Sequence, residues 1–293
     1  MKVRVALIGA EGQLGRDVAL ALERDGGEVH KFGHPQLEIC DIESVRTALT
    51  AVRPDLVVTT AAFHNVEKCE TNPVRAFTVN GVGTRNVAQT SAELGARMIY
   101  ISTDYVFDGW KTEPYLEADA PRPLNVYGNT KLAGEYFVRS TLPQHFVLRT
   151  SAIYGKHPCR AKGGLNFVDL MHKLGFERDE VKVVDSQFVS PTSTTDIARL
   201  IVKLSRSDAY GLYHASGEGS CSWYEFAAEI FRLTNASAVL RPAGPNDFRT
   251  KVDRPRYSVL ENHNLKAIGM NVFQPWQDGL REYFAMKGSA VTL

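Results

Sequence analysis

The chain has 293 residues, 44% hydrophobic and 23% charged, a globular composition that excludes disordered and fibrous classes. Lys and Arg number 34 against 33 Asp and Glu, so a net charge of +1 gives no electrostatic reason to expect nucleic acid or an anionic membrane as partner. No apolar run approaches the roughly 20 residues that span a bilayer, and residues 1–8 lead into a glycine motif without a cleavage-site pattern, so a soluble, cytoplasmic protein is expected.

In chain order, residues 3–8 read as a buried strand leading into a glycine-punctuated helix from about 12 to 22. Residues 29–32 form a short second strand, Asp41 an N-cap for a helix running toward Val52, and residues 56–60 a third strand. Asn72 and Pro73 supply the cap and first position of one long helix toward Leu94, stopped by Gly95. Residues 98–102 are strand-like, as are 146–150 and 181–184. Helical patterns cover 166–174, 194–205 and 222–233, the last with Ser222 and Glu225 placed as a capping box. This alternation predicts an α/β protein with a doubly wound parallel sheet of Rossmann type. Residues 1–155 are expected to form a nucleotide-binding core. Residues 156–293 are expected to form mostly a smaller substrate-binding lobe, with some elements returning to the core. Cys40, Cys69, Cys159 and Cys221 are scattered without metal-ligand spacing, so neither a metal site nor a disulfide framework is expected.

Gly9-Ala10-Glu11-Gly12-Gln13-Leu14-Gly15 joins the first strand to the first helix. Glycines there allow a tight turn, close approach of backbone to a pyrophosphate, and close helix–strand packing, while the helix N-terminus offers free N–H groups to the phosphates. The Gly-x-x-Gly-x-x-Gly spacing is that of short-chain dehydrogenase/reductases. An acid at the end of the second strand would favour NAD. Residues 29–34 contain none but hold His30, Lys31 and His34, so NADPH or NADH is expected, with NADPH mildly favoured.

Tyr127 and Lys131 stand four apart and share a face if helical. An ammonium near a phenol stabilises the phenolate and lowers a pKa that is ordinarily about 10. Such a pair can protonate a carbonyl oxygen while hydride reaches its carbon. Thr103, at the carboxyl end of the fourth strand, is placed to hydrogen-bond the same oxygen, on the sheet edge where open α/β folds bind ligands.

Glycine turn, strand-end threonine and the Tyr127–Lys131 pair together resemble the extended short-chain dehydrogenase/reductases, and within them the dTDP-4-dehydrorhamnose reductases. The stretches that carry the resemblance include Gly12-Gln13-Leu14-Gly15, Val66-Glu67-Lys68-Cys69-Glu70, residues 102–109, Tyr127-Gly128 with residues 130–135, and Arg254-Pro255. The resemblance implies reduction of the C4 ketone of a dTDP-linked 4-keto-6-deoxy sugar, with catalysis by Thr103, Tyr127 and Lys131. It implies cofactor contacts from Gly9, Gly12, Gln13, Leu14, Asp41, Ile42, Ala62, Phe63, His64, Tyr127 and Lys131. The sugar nucleotide would meet Val66, Thr103, Asp104 and Arg254, and the basic run from Arg241 to Arg256, including Arg249 and Lys251, suits a diphosphate. Asn80 reads either as a structural or relay amide or as a helix-surface residue. A homodimer is implied as well. Ala152 follows Arg149-Thr150-Ser151 where the branch often carries tryptophan, which implies room beside the sugar. Two other readings stay open: a sugar-nucleotide dehydratase or epimerase, and a non-catalytic nucleotide-binding subunit. Dehydratases usually follow the threonine with Asp-Glu, whereas Thr103 is followed by Asp104 and Tyr105.

Overall fold

The computed structural model describes residues 2–159, 163–244, 247–248 and 252–288. The first half reads β1 (Arg4–Ile8), α1 (Gln13–Arg24), β2 (Glu28–Phe32), α2 (Ile42–Val52), β3 (Leu56–Thr59), α3 (Val66–Thr71), α4 (Pro73–Phe77), α5 (Thr84–Glu93) and β4 (Arg97–Thr103). It continues with α6 (Val126–Thr141), β5 (His145–Thr150), β6 (Ile153–Tyr154), α7 (Phe167–Glu177), β7 (Glu180–Val183), β8 (Phe188–Val189), β9 (Thr192–Ser193) and α8 (Thr194–Leu204). The remainder is β10 (Gly211–His214), β11 (Cys221–Ser222), α9 (Trp223–Thr234), β12 (Val239–Pro242), α10 (His263–Ala267) and α11 (Trp276–Lys287).

Six strands form one sheet in the order β10-β5-β4-β3-β1-β2, every neighbouring pair parallel. Alternation along the strands sends Val5 and Leu7 to one face and Ala6 and Ile8 to the other, and both faces are buried. That is why these strands are apolar throughout: helices cover a parallel sheet on both sides. α1 and α8 cover the first face, with Val18, Leu22, Ile197, Ile201 and Leu204 in one cluster. α2, α5 and α6 cover the second through Val45, Leu49, Val87 and Val138. Consecutive chain crossovers leave β1 on opposite sides, to β2 and then to β3, so a crevice opens at the carboxyl ends of β1 and β3, where such sheets bind ligands.

A separate core gathers Tyr154, Val168, Val181, Phe226, Trp276 and Tyr283, from β6, β7, α7, α9 and α11. β10 and α8 come from the second half of the chain yet complete the main sheet and its cover. The strand expected over 181–184 is present as β7, where it pairs with β12 outside the main sheet. Ser222 and Glu225 form the expected capping box at α9.

The long helix expected from Pro73 toward Leu94 is interrupted. Residues Thr78–Gly83 wind as a π-helical turn between α4 and α5, and Gly95 ends the run in a left-handed conformation at φ 67°. A single-turn π segment inside a helix re-phases the side chains that follow, and such turns cluster at functional sites. No helix among the described residues is long and apolar enough to cross a membrane.

Candidate active site

The crevice begins at the glycine turn. Gly9 is left-handed at φ 83°, and a Cβ there would fall 2.7 Å from the backbone nitrogen of Ala61 after β3. A Cβ on Gly15 would fall 2.2 Å from the Gly9 carbonyl oxygen. Both positions therefore require glycine, and the turns after β1 and β3 touch. Thr60 secures that contact, its hydroxyl donating to the Gly9 carbonyl at 3.0 Å. α1 opens on Gly12 without a side-chain cap and without an acid in its first turn, so its leading N–H groups and dipole face an anion site. These features fit a dinucleotide pyrophosphate.

The Gln13 side chain points inward and donates to the Gly155 carbonyl at 3.0 Å, tying the turn to the segment after β6. Leu14 is buried in the core beneath. Asp41 caps α2, accepting from the Glu43 N–H at 3.0 Å, with Ile42 as the first helical residue. Ala62, Phe63 and His64 follow β3 along the crevice, all half-buried. His64 lies beside Cys159, with 3.8 Å between Nε2 and Sγ.

Asn80 decides how this wall meets α6. It is buried, accepts from the Phe63 N–H at 2.8 Å, and donates to the Phe63 carbonyl at 3.0 Å and to the Thr130 hydroxyl at 2.9 Å. The π turn aims it there. Of the two readings left open by the sequence, the structural amide is the one observed.

α6 carries Tyr127 and Lys131. Asn125 caps it by accepting from the Gly128 N–H at 2.9 Å, and Glu70 of α3 accepts from the Val126 N–H at 2.7 Å. Two glycines let this helix sit close: a Cβ on Gly128 would lie 2.2 Å from the Tyr105 carbonyl oxygen, and one on Gly134 2.2 Å from the Tyr100 hydroxyl. Tyr127 packs its ring edge-on against Tyr105, centroids 5.9 Å apart, two residues on from Thr103 at the end of β4. The sequence expectation of a lowered Tyr127 pKa is corrected by its surroundings. Burial pushes the phenol up, more than Thr103 brings it down, with Asp104 adding to the rise.

Lys131 is buried, its Nζ 4.1 Å from the centre of the Tyr100 ring. Burial draws its ammonium down to about 7, against a smaller opposing pull from Glu135. Glu135 is itself held by Arg149 through two hydrogen bonds of 2.9 and 2.7 Å and by Ser102 at 2.5 Å, all inside the protein.

Asp104, expected from the resemblance beside the sugar nucleotide, is held by hydroxyls on three sides. Its buried carboxylate accepts from Ser151 at 2.9 Å, Ser258 at 2.6 Å and Thr103 at 3.0 Å. It thereby joins the ends of β4 and β5 to the segment after residue 252, and burial raises its pKa against these bonds. Val66, at the start of α3, is half-buried. Arg254 pairs with Glu67, and its charge acts on the Tyr105 phenol, which brings this late segment of the chain toward Tyr127. Arg249 and Lys251 lie outside the described residues, and Arg241 pairs with Glu180 at 3.1 Å. Ala152 is left-handed at φ 42°, next to the buried Ser151.

Arg254 is thus placed beside Glu67, the neighbour of Val66 at the start of α3, while Tyr127 packs on Tyr105 just beyond Thr103. Sequence reasoning missed Glu70, Asn125 and Tyr105 as supports of the pocket. Asn125 carried a legible signal, a capping amide just before an expected helix.

The model of the RmlD substrate binding domain matches residues 3–288. The chain belongs to this family. Its relatives include the spore coat polysaccharide biosynthesis protein SpsK of Bacillus subtilis, 38% identical over 98% of this chain and 99% of that protein. A dTDP-4-dehydrorhamnose reductase of Streptomyces griseus is 38% identical over 96% of this chain and 93% of its own length. The crystal structure of dTDP-4-dehydrorhamnose reductase from Bacillus anthracis in complex with NADP superposes with a TM-score of 0.93 at 38% identity, covering 98% of this chain and 100% of that one. Among the described residues of this RmlD-family chain, no cluster of three or more His, Cys, Asp or Glu is arranged to hold a metal ion.

Proposed function

We propose that the protein is an NAD(P)H-dependent dTDP-4-dehydrorhamnose reductase, reducing the C4 ketone of a dTDP-linked 4-keto-6-deoxy sugar to the alcohol. The observation that carries this reading is the close packing of the first turn of α6, which bears Tyr127, on Tyr105 just beyond Thr103 at the carboxyl edge of the sheet. Family membership over residues 3–288 supports it.

Gly9, Gly12 and the leading amides at Gln13 and Leu14 bind the pyrophosphate, and Asp41 and Ile42 lie toward the adenine. Ala62, Phe63 and His64, with Tyr127 and Lys131, border the remainder of the dinucleotide. When bound, that group supplies the hydride that reaches C4. Val66 and Arg254 contact the sugar nucleotide, the guanidinium offering its planar fork to the diphosphate. Thr103 orients the ketone oxygen, and Asp104 acts through the hydroxyls it holds. Tyr127 is kept protonated at neutral pH by burial and gives its proton to the oxygen as hydride arrives at the carbon. The Tyr127 O–H bond breaks, the sugar O–H and C–H bonds form, and the phenolate left behind is compensated by Lys131 in its protonated form.

The test is to mix purified protein with NADH or NADPH and the 4-keto sugar nucleotide and follow the loss of nicotinamide absorbance. Turnover is expected; oxidation of neither nicotinamide overturns the reading. We propose a cytoplasmic homodimer as the working form. The exposed apolar side chains of Val74, Phe77 and Val82 along α4 and the π turn support a partner surface, and light scattering tests it.

A further inference from the structure

Doubly wound dehydrogenases meet the adenosine ribose with an acid at the end of the second strand. Residues 29–34 supply none. The fold fills that place from another segment. The N–H groups of Gly9 and Ala10 both donate to the Phe32 carbonyl, at 2.9 and 3.3 Å, which pins the glycine turn against the end of β2. The next residue, Glu11, is half-buried and lays its carboxylate over Gly33. A Cβ on Gly33 would lie 3.0 Å from both Cδ and Oε1 of Glu11, so glycine there leaves the room that the carboxylate uses. The basic side chains that the sequence offered to a 2′-phosphate lie against other acids: His30 against Glu28, Lys31 against Glu23, and His34 against Glu38, which Arg75 also meets.

We propose that Glu11 is the specificity-determining residue for the dinucleotide, accepting hydrogen bonds from the adenosine ribose hydroxyls and repelling a 2′-phosphate, so that NADH is taken in preference to NADPH. This rests on the reductase reading above and reverses the mild NADPH preference drawn from residues 29–34. A carboxylate accepts from two ribose hydroxyls; a 2′-phosphate replaces one of those donors with negative charge.

The experiment is a direct titration of the purified protein with NADH and NADPH, followed by nicotinamide fluorescence, for wild type, Glu11→Gln and Glu11→Lys. The wild-type dissociation constant for NADPH is expected to exceed that for NADH by about tenfold or more, within the range Coulomb's law gives for close unit charges between water and a protein surface. Glu11→Gln should shrink the ratio by about tenfold, chiefly through tighter NADPH, and Glu11→Lys should invert it. An unchanged ratio in Glu11→Gln, or tighter NADPH in wild type, overturns the proposal and leaves the reductase reading standing. Failure to bind either dinucleotide sinks that reading itself. If the variants do not fold, wild type decides alone: a charge-based preference weakens as salt is raised, and a salt-insensitive ratio overturns it.

Discussion

The two walls of the crevice are built on opposite principles. The wall at β1, α1 and β3 is made of backbone: Gly9, Gly15 and the carbonyls and amides they expose, with space that a single Cβ would close. The wall at β4, β5 and α6 is made of buried side chains that hold one another, Asp104 with three hydroxyls and Glu135 with Arg149 and Ser102. In the proposed reaction the first wall holds the dinucleotide by backbone shape and dipole, with the Glu11 carboxylate at its outer edge over Gly33. The second performs proton chemistry and depends on burial to set protonation. Substitution of Tyr127 in the second wall therefore separates chemistry from stability, whereas a side chain at Gly9 or Gly15 in the first disturbs both.

The largest expected separation is Tyr127→Phe. It removes the proton donor, so kcat is expected to fall about 10²- to 10⁴-fold while dinucleotide binding and melting temperature stay close to wild type. Steady-state kinetics beside a fluorescence titration checks it, and unchanged turnover removes Tyr127 from its role. Next in size is Arg149→Leu, which leaves Glu135 buried without its partner and is expected to cost about 3–5 kcal/mol in urea unfolding. Asn80→Ala strands the Phe63 backbone groups and is expected to cost about 1–3 kcal/mol, with a rise in KM for the dinucleotide as the 62–64 wall loosens.

A smaller effect follows from Lys131. Its folded pKa of about 7 lies below the unfolded value of 10.5, so between pH 7 and about 8.5 the unfolded chain binds more protons than the folded one. Stability of the protein free of ligand should rise with pH across that window, and Lys131→Met should flatten the rise. Above it the thiols of half-buried Cys40 and buried Cys69, pushed up to about 11, reverse the trend. Smallest of all is Lys31→Ala: its pair with Glu23 is exposed on both sides, and the change is expected to stay within about 1 kcal/mol.

Local signals read well from the sequence. β1, β2 and β3 begin or end within a residue of where apolar runs and turn residues put them, and the Asp41, Asn166 and Ser222 caps sit where short polar side chains precede helical periodicity. What could not be read depends on contacts distant in the chain. The π turn over Thr78–Gly83 is marked in sequence only by weak helix formers, two glycines among them, which do not specify a wider turn; the reach of Asn80 to Phe63 and Thr130 accompanies it. β10 is four residues long and has no periodicity of its own; pairing with β5 makes it a strand. Asp104 reads as a polar residue at a sheet edge until Ser151 and Ser258, separated from it by 47 and 154 positions, close over it. The phenol of Tyr127 illustrates the same limit: its neighbour one turn along was visible in sequence, but the burial that dominates its proton affinity was not.

The π turn also carries a consequence for how this chain can change by insertion and deletion. A helix advances about 100° per residue, so losing one residue between Pro73 and Gly83 would restore ordinary winding and swing Asn80 off Phe63 by more than a quarter-turn. Point substitution at exposed positions of these helices, such as Val74 or Arg85, leaves the clasp in place. A one-codon deletion that spares every side chain of the pocket would still open it.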